Sequence, residues 1–144
     1  MIDHELIKDR IKRLRSYIEE LRLFAHMPYK EYMGSFLHIR SAERILQLIV
    51  DTAVEINDHL LVESGQPAPP DYASSFINLV RIKLLTPEDA KSLSESTGLR
   101  NLLVHEYAVV EAQRVFDTIP QAIDEYTRYC KAVLKFLAKK KELP

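Results

Sequence analysis

The segment from about Lys30 to Val62 constrains the fold more than any other part of the chain. Its polar residues Arg40, Arg44, Gln47, Asp51, Glu55 and Asp58 recur at steps of four, three, four, four and three, which places them in one narrow stripe along a helix. Nearly all of the remaining circumference is apolar: Phe36, Ile39, Ala42, Ile45, Leu46, Ile49, Val50, Ala53, Ile56 and Leu60. A helix that is apolar on most sides is buried on most sides. One uninterrupted helix here would be about 50 Å long at about 1.5 Å per residue. That is longer than a small bundle covers, so the pattern predicts that a partner chain supplies part of the cover.

The flanking segments are helical as well. Leu6, Ile7, Ile11, Leu14, Tyr17, Ile18, Leu21, Phe24 and Ala25 form a first amphipathic stripe, with Asp3 as N-cap. Met27-Pro28 ends it, because the residue before a proline is steered out of the α region. The loop Glu63–Asp71 carries three prolines and a glycine and is too short to divide domains. A helix over about Ala73–Leu84 follows. Thr86-Pro87-Glu88-Asp89 then supplies an N-cap, a proline at the first helical position and acids in the first turn. In that fourth helix Gly98 marks a candidate bend. The last helical region is expected to break near Pro120 and restart, capped by Thr118, to run to about Lys139. Three glycines and seven prolines in 144 residues are well below the usual share, so turns are few and elements long. The expectation is one all-α domain over residues 1–144: a bundle of about five helices that dimerises.

Composition narrows the function classes. With 20 Lys+Arg against 21 Asp+Glu the formal net charge is −1, which gives no overall attraction for nucleic acid or an anionic membrane. The single cysteine, Cys130, excludes an internal disulfide, and the absence of CxxC or CxxH spacing excludes a cysteine-based zinc site. MIDHELIKDR lacks the apolar core of a signal peptide. The richest apolar run, Ile45–Val50, is too short to span a bilayer. A reduced, cytoplasmic protein is expected, without cofactor or metal.

One segment carries distinctive chemistry: Arg100-Asn101-Leu102-Leu103-Val104-His105-Glu106-Tyr107. Asn101 and His105 are four apart and share a helix face. Arg100 lies about 140° round from His105, and its long side chain reaches toward the same pocket. Tyr107 falls past the last full turn. An imidazole titrating near pH 6.5 suits proton transfer to or from a ribose hydroxyl. A guanidinium fork binds phosphate and neutralises charge on a pentacoordinate phosphorus. Asn101 would orient the phosphate or the ring. One histidine does not easily serve as both acid and base, which two copies across a two-fold axis would solve. Spacing alone leaves open a plainer arrangement, in which His105 caps a helix C-terminus and Arg100 pairs with a surface acid.

Arg-Asn-x-x-Val-His-x-Tyr resembles the Arg-x4-His-x-Tyr signature of HEPN-domain ribonuclease toxins, in particular the HepT-like family. The order of the rest agrees: an N-terminal helix, a long second helix, a proline-rich loop, PPDYASSFINL leading into the motif, and a last helix with a proline break. The resemblance covers essentially the whole chain, and Glu106 occupies a position where smaller residues are common. It implies a dimerising all-α bundle and a metal-independent endoribonuclease acting on tRNA or mRNA. Arg100 and His105 would be catalytic, with Asn101 supporting. It further implies that Tyr107 is modified with AMP by a cognate minimal, MntA-like nucleotidyltransferase antitoxin. Attached nucleotide phosphates would place negative charge beside the arginine and histidine.

Other charged groups are weaker candidates. Arg10, Lys12, Arg13, Arg15 and Arg22 give the first helix a basic face. Of these, Lys12 and Arg13 stand as RNA-contact candidates, against a solvated face relieved by Asp9, Glu19 and Glu20. Arg40 and Arg44 join them if the long helix borders the cleft. Asp51, Glu55, Asp58 and His59 read as a solvated or antitoxin-contacting stripe rather than a metal row, because His59 leaves the face of the carboxylates. Tyr126 and Tyr129 read as packing and Cys130 as a small buried residue. Two other function classes remain: a non-catalytic helical adaptor that regulates a nucleotidyltransferase, and a nucleotide-binding helical module.

Overall fold

The computed structural model describes residues 1–104 and 112–142. All of its regular elements are helical. Helix α1 spans His4–Ala25, with Asp3 capping it by accepting the Leu6 N–H at 3.0 Å. Its buried stripe is Ile7, Ile11, Leu14, Ile18, Leu21 and Phe24. The helix ends at Ala25, just before the Met27-Pro28 stop.

The long helix is not continuous. A short α2 covers Tyr29–Met33, Gly34 and Ser35 interrupt, and α3 runs over Phe36–Glu63. Ser35 is extended, with φ −138° and ψ 118°. A Cβ added to Gly34 would lie 3.0 Å from the Lys30 carbonyl oxygen, so the close approach at this corner favours glycine. The corner buries Tyr32 completely. Its ring centroid lies 6.1 Å from that of Phe24 and 4.7 Å from that of Phe116.

From Ala42 to Leu61 most of the apolar positions of α3 are buried within this chain, against α1, α4, α5 and α6. Ile39, Ile45 and Leu48 are only partly covered by this chain's own helices. The two ends of α3 lie open, with Phe36 73% and Leu37 64% exposed in the first turn and Val62 49% exposed in the last.

Helix α4 is short, Tyr72–Ile77, capped by Asp71 accepting the Ser74 N–H at 2.8 Å. That hydrogen bond holds the Asp71 carboxyl below its ordinary pKa. The chain then tightens into a 3₁₀ turn at Asn78–Val80 and passes through Lys83 in the left-handed region, φ 61°. The helix expected over Ala73–Leu84 therefore ends early, turning Leu84 and Leu85 into the core.

Helix α5 spans Pro87–Val104, and Thr86 accepts the Asp89 N–H at 3.2 Å as its cap. The helix runs unbroken through Gly98, where an added Cβ meets nothing within 4 Å. Gly98→Ala is therefore expected to raise stability by about 0.5–1 kcal/mol. In urea melts the midpoint should rise with the slope unchanged.

Helix α6 spans Ala112–Glu142 and keeps Pro120 inside it. The break expected there does not occur. Thr118 does not cap a restart: its hydroxyl donates back to the Arg114 carbonyl at 2.7 Å. An internal proline costs about 3 kcal/mol. Buried positions continue on both sides of it, from Val115 and Ile119 to Tyr126, Val133 and Leu137. Each is worth about 1.5–3 kcal/mol, enough to carry the helix across. Among the described residues no helix is long and apolar enough to cross a membrane.

Candidate active site

Arg100 lies in the last turns of α5 and points at α3. Its Nε donates to Asp51 Oδ1 at 2.7 Å, its Nη2 to the Tyr72 hydroxyl at 3.2 Å, and its Nη1 to Asn101 Oδ1 at 3.3 Å. The Tyr72 hydroxyl in turn donates to the same Asp51 oxygen at 3.0 Å. The guanidinium carbon sits 4.4 Å from the Tyr72 ring centroid, close enough for a cation–π contact. The Arg100 and Asp51 side chains are only 14% and 26% exposed, so the pair is shielded more than an ordinary surface bridge. A guanidinium has five N–H donors. Three are engaged among the described residues, and the other two are on the terminal nitrogens.

Each partner is held from behind. Asp51 stands mid-way along α3, flanked by the buried Val50 and Thr52. Tyr72 opens α4, fixed by the Asp71 cap and by a buried polar chain. Ser75 Oγ donates to the Tyr72 carbonyl at 2.7 Å and accepts from Asn57 Nδ2 at 3.1 Å. Asn57 Oδ1 and the Ala53 carbonyl accept from the Tyr129 hydroxyl at 2.5 Å and 3.1 Å. Asn57 and Ser75 are fully buried, so these hydrogen bonds fix α3, α4 and α6 relative to one another. Partial burial raises the Tyr72 pKa, as do its hydrogen bond to Asp51 and the Asp51 charge, against an opposing pull from Arg100. The phenol stays protonated and donating.

The structure brings Arg100 and Asn101 together. His105 and Tyr107 lie outside the described residues. Arg44 and Arg40 sit on the same α3 face as Asp51, about 10 and 16 Å along the axis from it. Arg40 is exposed and pairs with Glu43 at 2.9 Å. Lys12 and Arg13 are exposed on α1 and do not join the Arg100 cluster; Arg13 is 3.9 Å from Asp9. Arg10 of the same basic face crosses to Glu55 at 3.0 Å. The carboxylate stripe of α3 is thus partly spent on ion pairs with α1 and α5 rather than solvated throughout. His59 leaves that stripe, as expected, and accepts the Asp3 N–H at 3.0 Å, tying the start of α1 to α3. Among the described residues no three His, Cys, Asp or Glu side chains gather as a metal site. Cys130 is buried, and burial pushes its thiol up to about 11.

Asp51 and Tyr72 are the residues that sequence reasoning missed. Asp51 was one member of a stripe, and nothing local distinguishes it from Glu55 or Asp58. The Asp71–Ser74 capping pattern was the signal available for Tyr72, since it places the tyrosine in a first helical turn.

The helical arrangement, with a held arginine near the end of α5, defines a HEPN-type bundle. It superposes on a tri-AMPylated Shewanella oneidensis HEPN toxin solved in complex with an MNT antitoxin, with a TM-score of 0.83 at 19% identity over 94% of this chain and 99% of that one. A cytosolic protein of unknown function from Bacillus subtilis, YutE, matches with a TM-score of 0.82 at 16% identity over 96% and 93%. At such identities the likeness is one of fold. The chain belongs to the Ribonuclease HepT-like family, whose model matches residues 7–133. It is also 35% identical, over 94% of its length and 92% of the relative's, to a protein of Aphanizomenon flos-aquae named tRNA nuclease HepT.

Proposed function

We propose that this chain is the ribonuclease toxin of a toxin–antitoxin pair. The observation that carries the reading is the Arg100 guanidinium, held at the head of the Arg-x4-His-x-Tyr segment with two N–H donors unspent among the described residues. The family and the name of the cyanobacterial relative support it. The RNA 2′-hydroxyl attacks the adjacent phosphorus: the P–O2′ bond forms, the P–O5′ bond breaks, and a 2′,3′-cyclic phosphate and a 5′-hydroxyl result. One His105 imidazole takes the 2′ proton. The His105 of a second copy across a two-fold axis protonates the leaving oxygen. Arg100 neutralises the charge on the phosphorane, and Asn101 orients the phosphate.

No step in this chemistry calls on a metal. The neutralising partner is a minimal nucleotidyltransferase that transfers AMP to Tyr107, as the AMPylated state and antitoxin of the Shewanella oneidensis complex suggest. Purified protein, free of partner, is expected to cleave RNA in EDTA and to leave cyclic phosphate ends. His105→Ala is expected to lower the rate by about 10²–10⁴-fold. Cleavage abolished by EDTA, or unchanged by the substitution, contradicts the mechanism.

A further inference from the structure

We propose that Asp51 and Tyr72 are positioning residues for Arg100, acting as one bracket that decides which edge of the guanidinium meets the RNA phosphate. The proposal rests on the ribonuclease reading above. A guanidinium offers a phosphate either the edge containing Nε or the terminal edge of Nη1 and Nη2. Here the first edge is occupied. Asp51 Oδ1 takes Nε at 2.7 Å, the Tyr72 hydroxyl takes Nη2 at 3.2 Å, and that hydroxyl closes onto the same carboxylate oxygen at 3.0 Å. The Tyr72 ring lies against the guanidinium face, 4.4 Å from its carbon. Edge and face are therefore both held, and among the described residues only the terminal edge, flanked by Asn101, is left for a phosphate. An unbracketed arginine samples several rotamers of a long side chain, and that freedom is lost each time a phosphate is engaged. The bracket removes it beforehand, at the cost of a negative charge placed next to a phosphate site.

That cost makes the proposal decidable by sign. If Asp51 acted through charge alone, neutralising it would strengthen RNA binding and speed cleavage. If it positions Arg100, the same change slows the chemical step. The test measures kcat and KM for RNA cleavage by the full chain carrying Asp51→Asn, Tyr72→Phe or both, with thermal melts confirming the fold. Asp51→Asn is expected to lower kcat about 10–100-fold, with KM unchanged or lower. Tyr72→Phe keeps the ring and loses the hydroxyl, and is expected to cost about 3–10-fold, the worth of one hydrogen bond. The double variant should fall well short of the product of the two, because both act through one guanidinium. The Arg100 Nε–H proton, followed by NMR, should exchange with water more slowly in the wild type than in Asp51→Asn.

A wild type that leaves RNA intact overturns the ribonuclease reading and the positioning role with it. An active wild type whose Asp51→Asn variant cleaves as fast or faster overturns the positioning role alone. So does an Nε–H proton that exchanges equally fast in both.

Discussion

Arg100→Ala is expected to lower RNA cleavage by about 10²–10³-fold, the usual loss when one preorganised donor to a developing oxyanion is removed. The loss should fall on kcat more than on KM. Ground-state contact with RNA draws on every basic group near the cleft, whereas the phosphorane charge is met by this fork. Arg100→Lys keeps the charge and is still expected to lose more than about tenfold. A single ammonium does not reproduce the planar fork that spans Asp51, Tyr72 and Asn101 while keeping two donors outward. Stability should fall modestly in Arg100→Ala, by about 1–3 kcal/mol, because charge-assisted hydrogen bonds to partly exposed partners are lost. Rates from single-turnover cleavage, set beside urea melts, separate the two effects. Wild-type cleavage by a folded Arg100→Ala protein would remove Arg100 from the mechanism.

What was legible in the sequence follows from how local each signal is. Helix α1 was read from end to end because its cap, stripe and stop all lie within the segment itself. The Thr86-Pro87 start of α5 was legible for the same reason. The corner at Gly34–Ser35 was not, because the apolar pattern continues across it. What decides the corner is Tyr32 reaching Phe24 and Phe116 on other helices. Pro120 shows the converse, a strong local break signal overridden by burial along both halves of α6. Periodicity reports how much of a helix is buried, not which neighbour buries it, so the share of the α3 cover that comes from α1, α4, α5 and α6 was not legible.

The same limit governs the site. Arg100 and Asn101 stand next to each other in a recognisable segment. Asp51 lies 49 residues away from Arg100, and only the packing of α5 on α3 singles it out. The plainer sequence reading, in which Arg100 pairs with an acid, describes a real contact. The acid is only partly exposed, however, and among the described residues the contact leaves two guanidinium donors for a ligand.

In cells that also make the partner nucleotidyltransferase, Tyr107→Phe is expected to abolish colony formation, whereas the wild-type pair grows. On the proposed reading the phenol oxygen would be the acceptor for AMP, and phenylalanine removes that oxygen while keeping the ring. Each AMP joined through a phosphodiester brings about one negative charge at neutral pH. The whole chain carries a net charge of only −1, so even one such group doubles it. If it came within about 8 Å of Arg100, a Debye length at physiological salt, that charge would compete with the RNA phosphate for the guanidinium. The nucleotide itself adds bulk at the cleft. Intact mass of the coexpressed wild type should therefore show a gain of AMP units that the Tyr107→Phe protein lacks. The double variant Tyr107→Phe/His105→Ala should restore growth, which ties the lethality to the nuclease rather than to misfolding. A mass gain that persists in Tyr107→Phe would move the acceptor elsewhere. Growth that survives loss of the gain would mean that the partner neutralises by binding, with modification incidental to it.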